Sequence, residues 1–111
     1  MSRTGQQAII GGVHVAVTMG GPAAFIAGTN NGSFASVAYT GPGDILLSLQ
    51  PGFEFSPRAN ALITVFGAIQ ATVRTIFAPD GSTIQLLFED AIAGPVDPDG
   101  FKVTLIDTLL G

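Results

Sequence analysis

The residues with the clearest chemical potential are acidic side chains grouped around one short stretch of the chain. Glu89 and Asp90 precede that stretch, and Asp97 and Asp99 flank a proline at its end. Several carboxylate oxygens at about 2.3–2.6 Å would suit a calcium ion. The spacing matches no EF-hand loop, however, and Asp-Pro-Asp-Gly is also the composition of an ordinary turn. We therefore favour a solvated turn and keep a cation bound at the Asp97/Asp99 loop as the alternative.

Other routes to catalysis find little support in the residue types. A pair of carboxylates can hydrolyse glycosides, but the chain has no Trp and a single Tyr, Tyr39, to stack on a sugar. His14 is the single histidine, and it cannot build a histidine-rich zinc site or a triad without a nucleophile and an orienting acid. The absence of cysteine excludes disulfides and thiolate metal sites. We predict that the chain is not an enzyme and uses no cofactor or metal.

The basic residues are few, and two of them interrupt apolar segments. Arg58 and Arg74 belong to a set of only four Lys and Arg residues, against eight Asp and Glu. That balance predicts no nucleic-acid partner, because so few cations neutralise few phosphates. A charge within a strand commonly keeps a sheet edge soluble. The alternative is an ion pair between subunits, which we favour for Arg74 because it lies in the middle of its segment.

Alternation of apolar and polar residues predicts that β-strands position these side chains. Two segments carry the pattern most clearly, with apolar faces formed by Ile84, Leu86 and Phe88 and by Phe101, Val103 and Leu105. Asp-Gly precedes both, which is turn chemistry because glycine accepts a positive φ. Further strands are predicted at 13–18, 34–40, 45–50, 61–66 and 69–77, with a strand or packed loop at 23–27. The run 61–66 is nearly all apolar, which favours a strand covered on both faces.

These segments and their regular turn signals predict the fold class. Short strands with turn signals every 8–12 residues or so indicate an all-β sandwich or barrel. We predict one domain spanning residues 1–111, an antiparallel β-sandwich or jelly-roll-like barrel. Its body would comprise residues 13–111, preceded by an N-terminal arm or edge strand at residues 1–12.

The composition shows an excess of apolar residues that must be buried somewhere. Charged residues make up 11% of the 111-residue chain, against about 25% in average soluble domains, and the mean hydropathy is +0.52. Paired glycines and prolines interrupt the long uncharged stretch 4–43, so it lacks the roughly 20 consecutive apolar residues of a membrane span. The first residues also lack the apolar core of a signal peptide. We therefore predict no membrane partner and expect burial between subunits.

The order of the signals from residue 32 onward points to a family. The residues that carry it are 32–34, 39–49, 61–65, 80–86 and 97–105. In this order the chain resembles short β-sandwich modules of tailed-bacteriophage virions, which occur in capsid decoration (cement) proteins and in tail-fibre parts, often as trimers. The first 31 residues depart from the pattern.

The resemblance implies a structural protein made in the host cytoplasm and carried on the outer surface of the capsid. Its partners would be copies of itself, as a homotrimer, and the major capsid protein. The alternative is a tail-fibre or lectin-like module that binds a cell-surface glycan. We predict that the subunit contacts are made by Val13, Val15, Leu62, Phe66, Arg74, Phe101 and Leu105.

Overall fold

Short alternating segments form β-strands throughout the computed structural model of the chain. The structure describes residues 7–17, 22–26, 28–30, 32–56, 59–67 and 71–108. Within these ranges the strands are β1 (Gln7–Val17), β2 (Ala23–Phe25), β3 (Phe34–Gly41), β4 (Asp44–Leu49), β5 (Asn60–Phe66), β6 (Thr72–Phe77), β7 (Thr83–Asp90), β8 (Gly94–Pro95) and β9 (Gly100–Thr108). In the part of the chain that is described, no helix is long and apolar enough to cross a membrane.

The strands form two antiparallel sheets. The first has the order β2-β1-β9-β5, and the second has the order β3-β4-β7-β6, with the short β8 paired to β7. The sheets face each other, since the rings of Phe88 on β7 and Phe101 on β9 lie 5.0 Å apart between centroids. The all-β prediction is thus confirmed as a small two-sheet sandwich, which places β5 and β6 at the edges of their respective sheets.

The core consists of the side chains that alternate into the space between the sheets. Its buried members are Val13, Val15, Val17, Phe34, Ile45, Leu47, Leu49, Phe55, Ile84, Leu86, Phe88, Phe101, Val103 and Leu105. The faces predicted from alternation in β4, β7 and β9 are therefore confirmed. Full burial of each large apolar side chain stabilises the fold by roughly 1.5–3 kcal/mol, so the sheets are held together chiefly by this layer.

The two Asp-Gly turns differ in conformation. Gly81 has a φ of +78°, as turn chemistry predicts. Gly100 does not lie in the positive-φ region, so the same prediction is wrong there. Gly100 begins β9 next to β1, where an added Cβ would stand 2.8 Å from the carbonyl oxygen of Val15. The glycine is needed because the two backbones approach closely.

The N-terminal segment differs from the predicted arm. Residues 7–12 belong to β1, which pairs with β9 from Gln7 opposite Thr108 to Ala16 opposite Gly100. Of the two predicted alternatives, the arm is therefore wrong for residues 7–12 and the edge strand is confirmed, because in the described ranges β2 covers the other side of β1 only at Val15–Val17. Residues 1–6 lie outside the described part. β1 is also inside its sheet at its C-terminal end, where β2 pairs with its other side. The long β9 partner explains the difference, because it pairs with β1 along most of the strand, with a register shift between Ile9 and Gly11.

Candidate interaction surface

The carboxylate of Asp97 holds two loops together. Its Oδ2 accepts a hydrogen bond from the Tyr39 hydroxyl at 2.9 Å, and its Oδ1 accepts one from the Gly43 backbone N–H at 2.8 Å. Burial raises the pKa of Tyr39, and the bond to Asp97 and the negative charge of that group raise it further. Gly43 has a φ of +67°, and a Cβ there would collide with the carbonyl oxygen of Phe88. The carboxylate therefore fixes the β3–β4 hairpin.

The Asp97/Asp99 loop, for which a bound cation was the alternative to a solvated turn, gathers no ligand set in the described ranges, where no three His, Asp or Glu side chains that could hold a metal come together. Asp99 accepts a hydrogen bond from the Val17 N–H at its backbone oxygen, and its side chain lies against Gly67. Asp97 and Asp99 thus each connect the loop to a different part of the sandwich.

Asp90 orders the loop between β7 and β8. Its Oδ1 accepts hydrogen bonds from the backbone N–H groups of Ile92 at 2.8 Å and Ala93 at 3.1 Å. These bonds lower the pKa of the Asp90 carboxyl. The turn presents Ile92 with 97% of its side chain exposed. Our sequence prediction missed this residue, because a single apolar residue in a turn has no periodicity to mark it.

His14 lies on the outward face of β1, half-buried, with its ring 5.6 Å from the ring of Phe66. Its backbone N–H donates to the Thr29 hydroxyl at 3.1 Å. His14 therefore helps to cover the outer face of the first sheet beside β5.

The predicted contact residues divide into two groups. Val13, Val15, Phe101 and Leu105 are at most 1% exposed within the single chain. Their assignment as subunit contacts is wrong, because their side chains already fill the space between the two sheets of one chain. Alternation predicted that these residues form buried apolar faces. It could not show whether the same chain or another subunit buries them.

The other three predicted contact residues lie on the two edge strands at one side of the sandwich. Leu62 and Phe66 project outward from β5 with 53% and 37% exposure, and Arg74 is exposed on β6. Arg58 lies outside the described residues. The run 61–66 was predicted to be covered on both faces, which is wrong, because the outward side chains of β5 are exposed.

Among the strands that end a sheet in the described ranges, β2, β3 and β6 each carry a feature that discourages pairing with another chain. β2 has three residues, β3 shifts register after Phe34 and again after Tyr39, and β6 carries Arg74 at its middle. Short edges, bulges and charges are the usual protections of an exposed strand. β5 has seven residues with no charge, proline or register shift. It is therefore the edge best suited to accept another strand.

A cleft of about 390 Å³ opens below the same side of the sandwich. Its lining is Phe55, Ser56, Ala59, Phe77, Ala78 and Pro79. The Phe55 and Phe77 rings meet edge to face with centroids 5.1 Å apart, and Ser56 is fixed by hydrogen bonds from its N–H and hydroxyl to the carboxylate of Asp107. The cleft lies between Ala59, which precedes β5, and Phe77, which ends β6.

Comparison with known proteins found no matching family model, curated protein or solved structure.

Proposed function

We propose that the chain is a non-enzymatic structural protein of a tailed-phage virion, which binds the outer surface of the capsid as an oligomer and stabilises the shell. The observation that carries the proposal is the number of large apolar side chains at the surface of so small a sandwich. They are Ile9, Ile26, Phe53, Leu62, Phe66, Ile76 and Ile92. Contiguous apolar surface marks sites of protein association, and Leu62 and Phe66 share the outward face of β5.

The polar groups support a structural role over a catalytic one. Asp97 and Asp107, which lie near opposite ends of β9, both bind loops of the chain itself. A catalytic carboxylate would need to reach a substrate, whereas these two hold the hairpin at 41–43 and the loop at 50–56. The rigid loops would then act as fixed contacts.

Ile92 is the residue that we assign to the contact with the capsid protein. Its side chain is almost fully exposed, and the Asp90 carboxylate holds the turn beneath it. An apolar anchor that is ordered before binding loses little conformational entropy when it enters a pocket. A protein that binds only the assembled lattice stabilises that lattice by mass action.

The experiment is co-sedimentation of the purified chain with empty capsids of the phage that carries its gene, with unassembled capsid protein as the control. We expect saturable, stoichiometric capture by the assembled shells alone. Ile92→Asp should reduce capture at least about tenfold, as expected for loss of a central apolar anchor. Ile76→Asp is the matched control, because Ile76 is also an exposed isoleucine but lies on β6. This variant should retain capture. A chain that ignores capsids would disprove the proposal.

Glycan binding, the alternative, is tested separately with cell-surface polysaccharide. The Tyr39 hydroxyl already donates to Asp97, which leaves Phe53, at 42% exposure, as a loop aromatic side chain on which a sugar could stack. Binding to cell-surface polysaccharide by a chain that does not sediment with capsids would replace the capsid proposal with a receptor-binding one.

A further inference from the structure

The outer edge of β5 offers backbone groups to a further strand. The Ala61 N–H donates to the side chain of Asn60 at 2.9 Å, so it does not face β9. Alternate residues of a strand direct their N–H and C=O groups to the same edge. The same groups of Ile63 and Val65 must therefore also point away from β9, toward the outside.

A second set of bonds fixes the same alternation across the sheet. The His14 carbonyl accepts a hydrogen bond from the Ile26 N–H on the β2 side. The backbone N–H and C=O groups of His14 therefore point away from β9, and those of Val13 point toward it. Val13 pairs with Val103, so the backbone groups of Val103 point toward β1. Those of its neighbours Lys102 and Thr104 therefore point toward β5. Their partners there are Thr64 and Leu62, and Ile63 between them faces the free edge.

The side chains of β5 favour pairing with a copy of the same strand. In an antiparallel pair centred on Thr64, Leu62 of each copy stands opposite Phe66 of the other. The two most exposed apolar side chains of the strand would then cover each other, and Thr64 would face Thr64, which is a favourable cross-strand pair. Ile63 would pair with Val65 through backbone hydrogen bonds. The Ala61 N–H, already bound to Asn60, would need no new partner.

The neighbouring registers fit less well. A pair centred on Ile63 would place exposed Leu62 against Thr64 and Phe66 against Asn60, so that each apolar group meets a polar one. Charge does not oppose the pair centred on Thr64, because β5 carries none. The nearest charge on the outward face, Lys102, lies one strand further from the axis.

We propose that two copies of the chain associate through antiparallel pairing of their β5 strands about a two-fold axis at Thr64. The contact joins the two sheets of order β2-β1-β9-β5 into one continuous sheet. It also extends the apolar inner surface formed by Ile63 and Val65 of each copy, which is half-buried in the single chain. The dimer replaces the trimer that the resemblance implies, and it exists whether or not the chain binds a capsid.

The first test is the mass of the purified chain across a dilution series, measured by light scattering and sedimentation equilibrium. We expect a reversible dimer of the 11.3 kDa chain. Thr64→Lys places two like charges directly opposite each other on the axis and should raise the dissociation constant at least about tenfold. Thr72→Lys is the matched control, since Thr72 is an exposed threonine on the other edge strand of the same side, and it should leave the constant unchanged.

The second test fixes the register. The chain has no cysteine, so a single introduced thiol can form a disulfide only between copies. Directly opposed residues of a non-hydrogen-bonded pair have Cα atoms about 4.5 Å apart, within the disulfide range of about 4.4–6.8 Å. Thr64→Cys should therefore crosslink under mild oxidation. Leu62→Cys should not, because the two copies of residue 62 stand roughly 13 Å apart along the strands.

Each outcome decides the inference. A monomer at millimolar concentration, a trimer, or a dimer that Thr64→Lys leaves intact would overturn it. A dimer in which Leu62→Cys crosslinks and Thr64→Cys does not would overturn the register. A dimer that passes both tests but ignores capsids supports this contact and contradicts the capsid proposal, so the two failures are distinguishable.

Discussion

The edges formed by β3 and β5 lie on opposite sides of the sandwich, and they differ in how readily each would pair with a strand of another chain. β3 begins with Phe34, whose ring is 1% exposed and packs 6.5 Å from the Phe25 ring on β2. Its register shifts twice along the strand. β5 ends with Phe66, which is 37% exposed, and it runs without a shift. A bulged edge resists a new strand and a flat apolar edge accepts one, so the two sides are suited to different purposes.

We expect the largest difference in stability between the two sides when Phe34 of β3 and Phe66 of β5 are each replaced by alanine. Phe34→Ala leaves a cavity between the sheets and should lower the free energy of unfolding by about 3–5 kcal/mol. Phe66→Ala should lower it by less than about 1 kcal/mol, because the ring is partly in solvent. Urea denaturation measures both losses, at a protein concentration below the dissociation constant of the proposed dimer. Equal losses would mean that β5 is as well covered within the single chain as β3.

The β3 side depends on Asp97, and its removal should have an intermediate effect. Asp97→Ala deprives the Gly43 N–H and the Tyr39 hydroxyl of their acceptor, which should lower the free energy of unfolding by about 1–3 kcal/mol. Asp80→Ala, in an exposed turn where Asp80 binds Ser82, is the control and should lower it less.

The same substitution changes how Tyr39 titrates. Because the pKa of Tyr39 is raised above 10.0 in the folded chain, its contribution to stability is fully present below about pH 10 and is lost as pH rises through the folded pKa. Tyr39 is the single tyrosine and there is no tryptophan, so its ultraviolet absorbance follows the titration directly. Asp97→Ala should move the midpoint toward 10.0, and an unchanged midpoint would show that burial alone sets it.

We expect the smallest effect on stability at β6, where removing the charge would make the edge resemble that of β5. Arg74→Val removes the charge from a second edge strand and should leave the free energy of unfolding within about 0.5 kcal/mol. It should, however, allow species larger than the dimer, because both edges of that side then accept strands. Light scattering detects them, with Arg74→Lys as the charge-preserving control. A mass identical to that of the parent chain would show that Arg74 does not protect β6.

The strands that sequence analysis located best are those with one buried and one polar face. In β4 and β7 the alternation places Ile45, Leu47, Ile84 and Leu86 in the core as predicted. The failures occur where alternation is weak. Residues 7–12 combine small apolar residues with glycines, and 61–66 is apolar on both faces, so neither pattern indicates which side is covered. Ile92 was missed because a single residue has no period.

The sequence by itself determined the fold class, the faces of the regular strands and the shortage of charge, because period-two alternation and turn chemistry act locally. Only the tertiary structure decided which apolar residues are core and which are surface. Val15 and Val65 both face the space between the sheets, but Val15 is fully buried on β1 where β2 and β9 flank it, and Val65 is half-buried on the edge strand β5. Burial depends on strand order, which is set by pairings between residues far apart in the chain, and no local pattern encodes it.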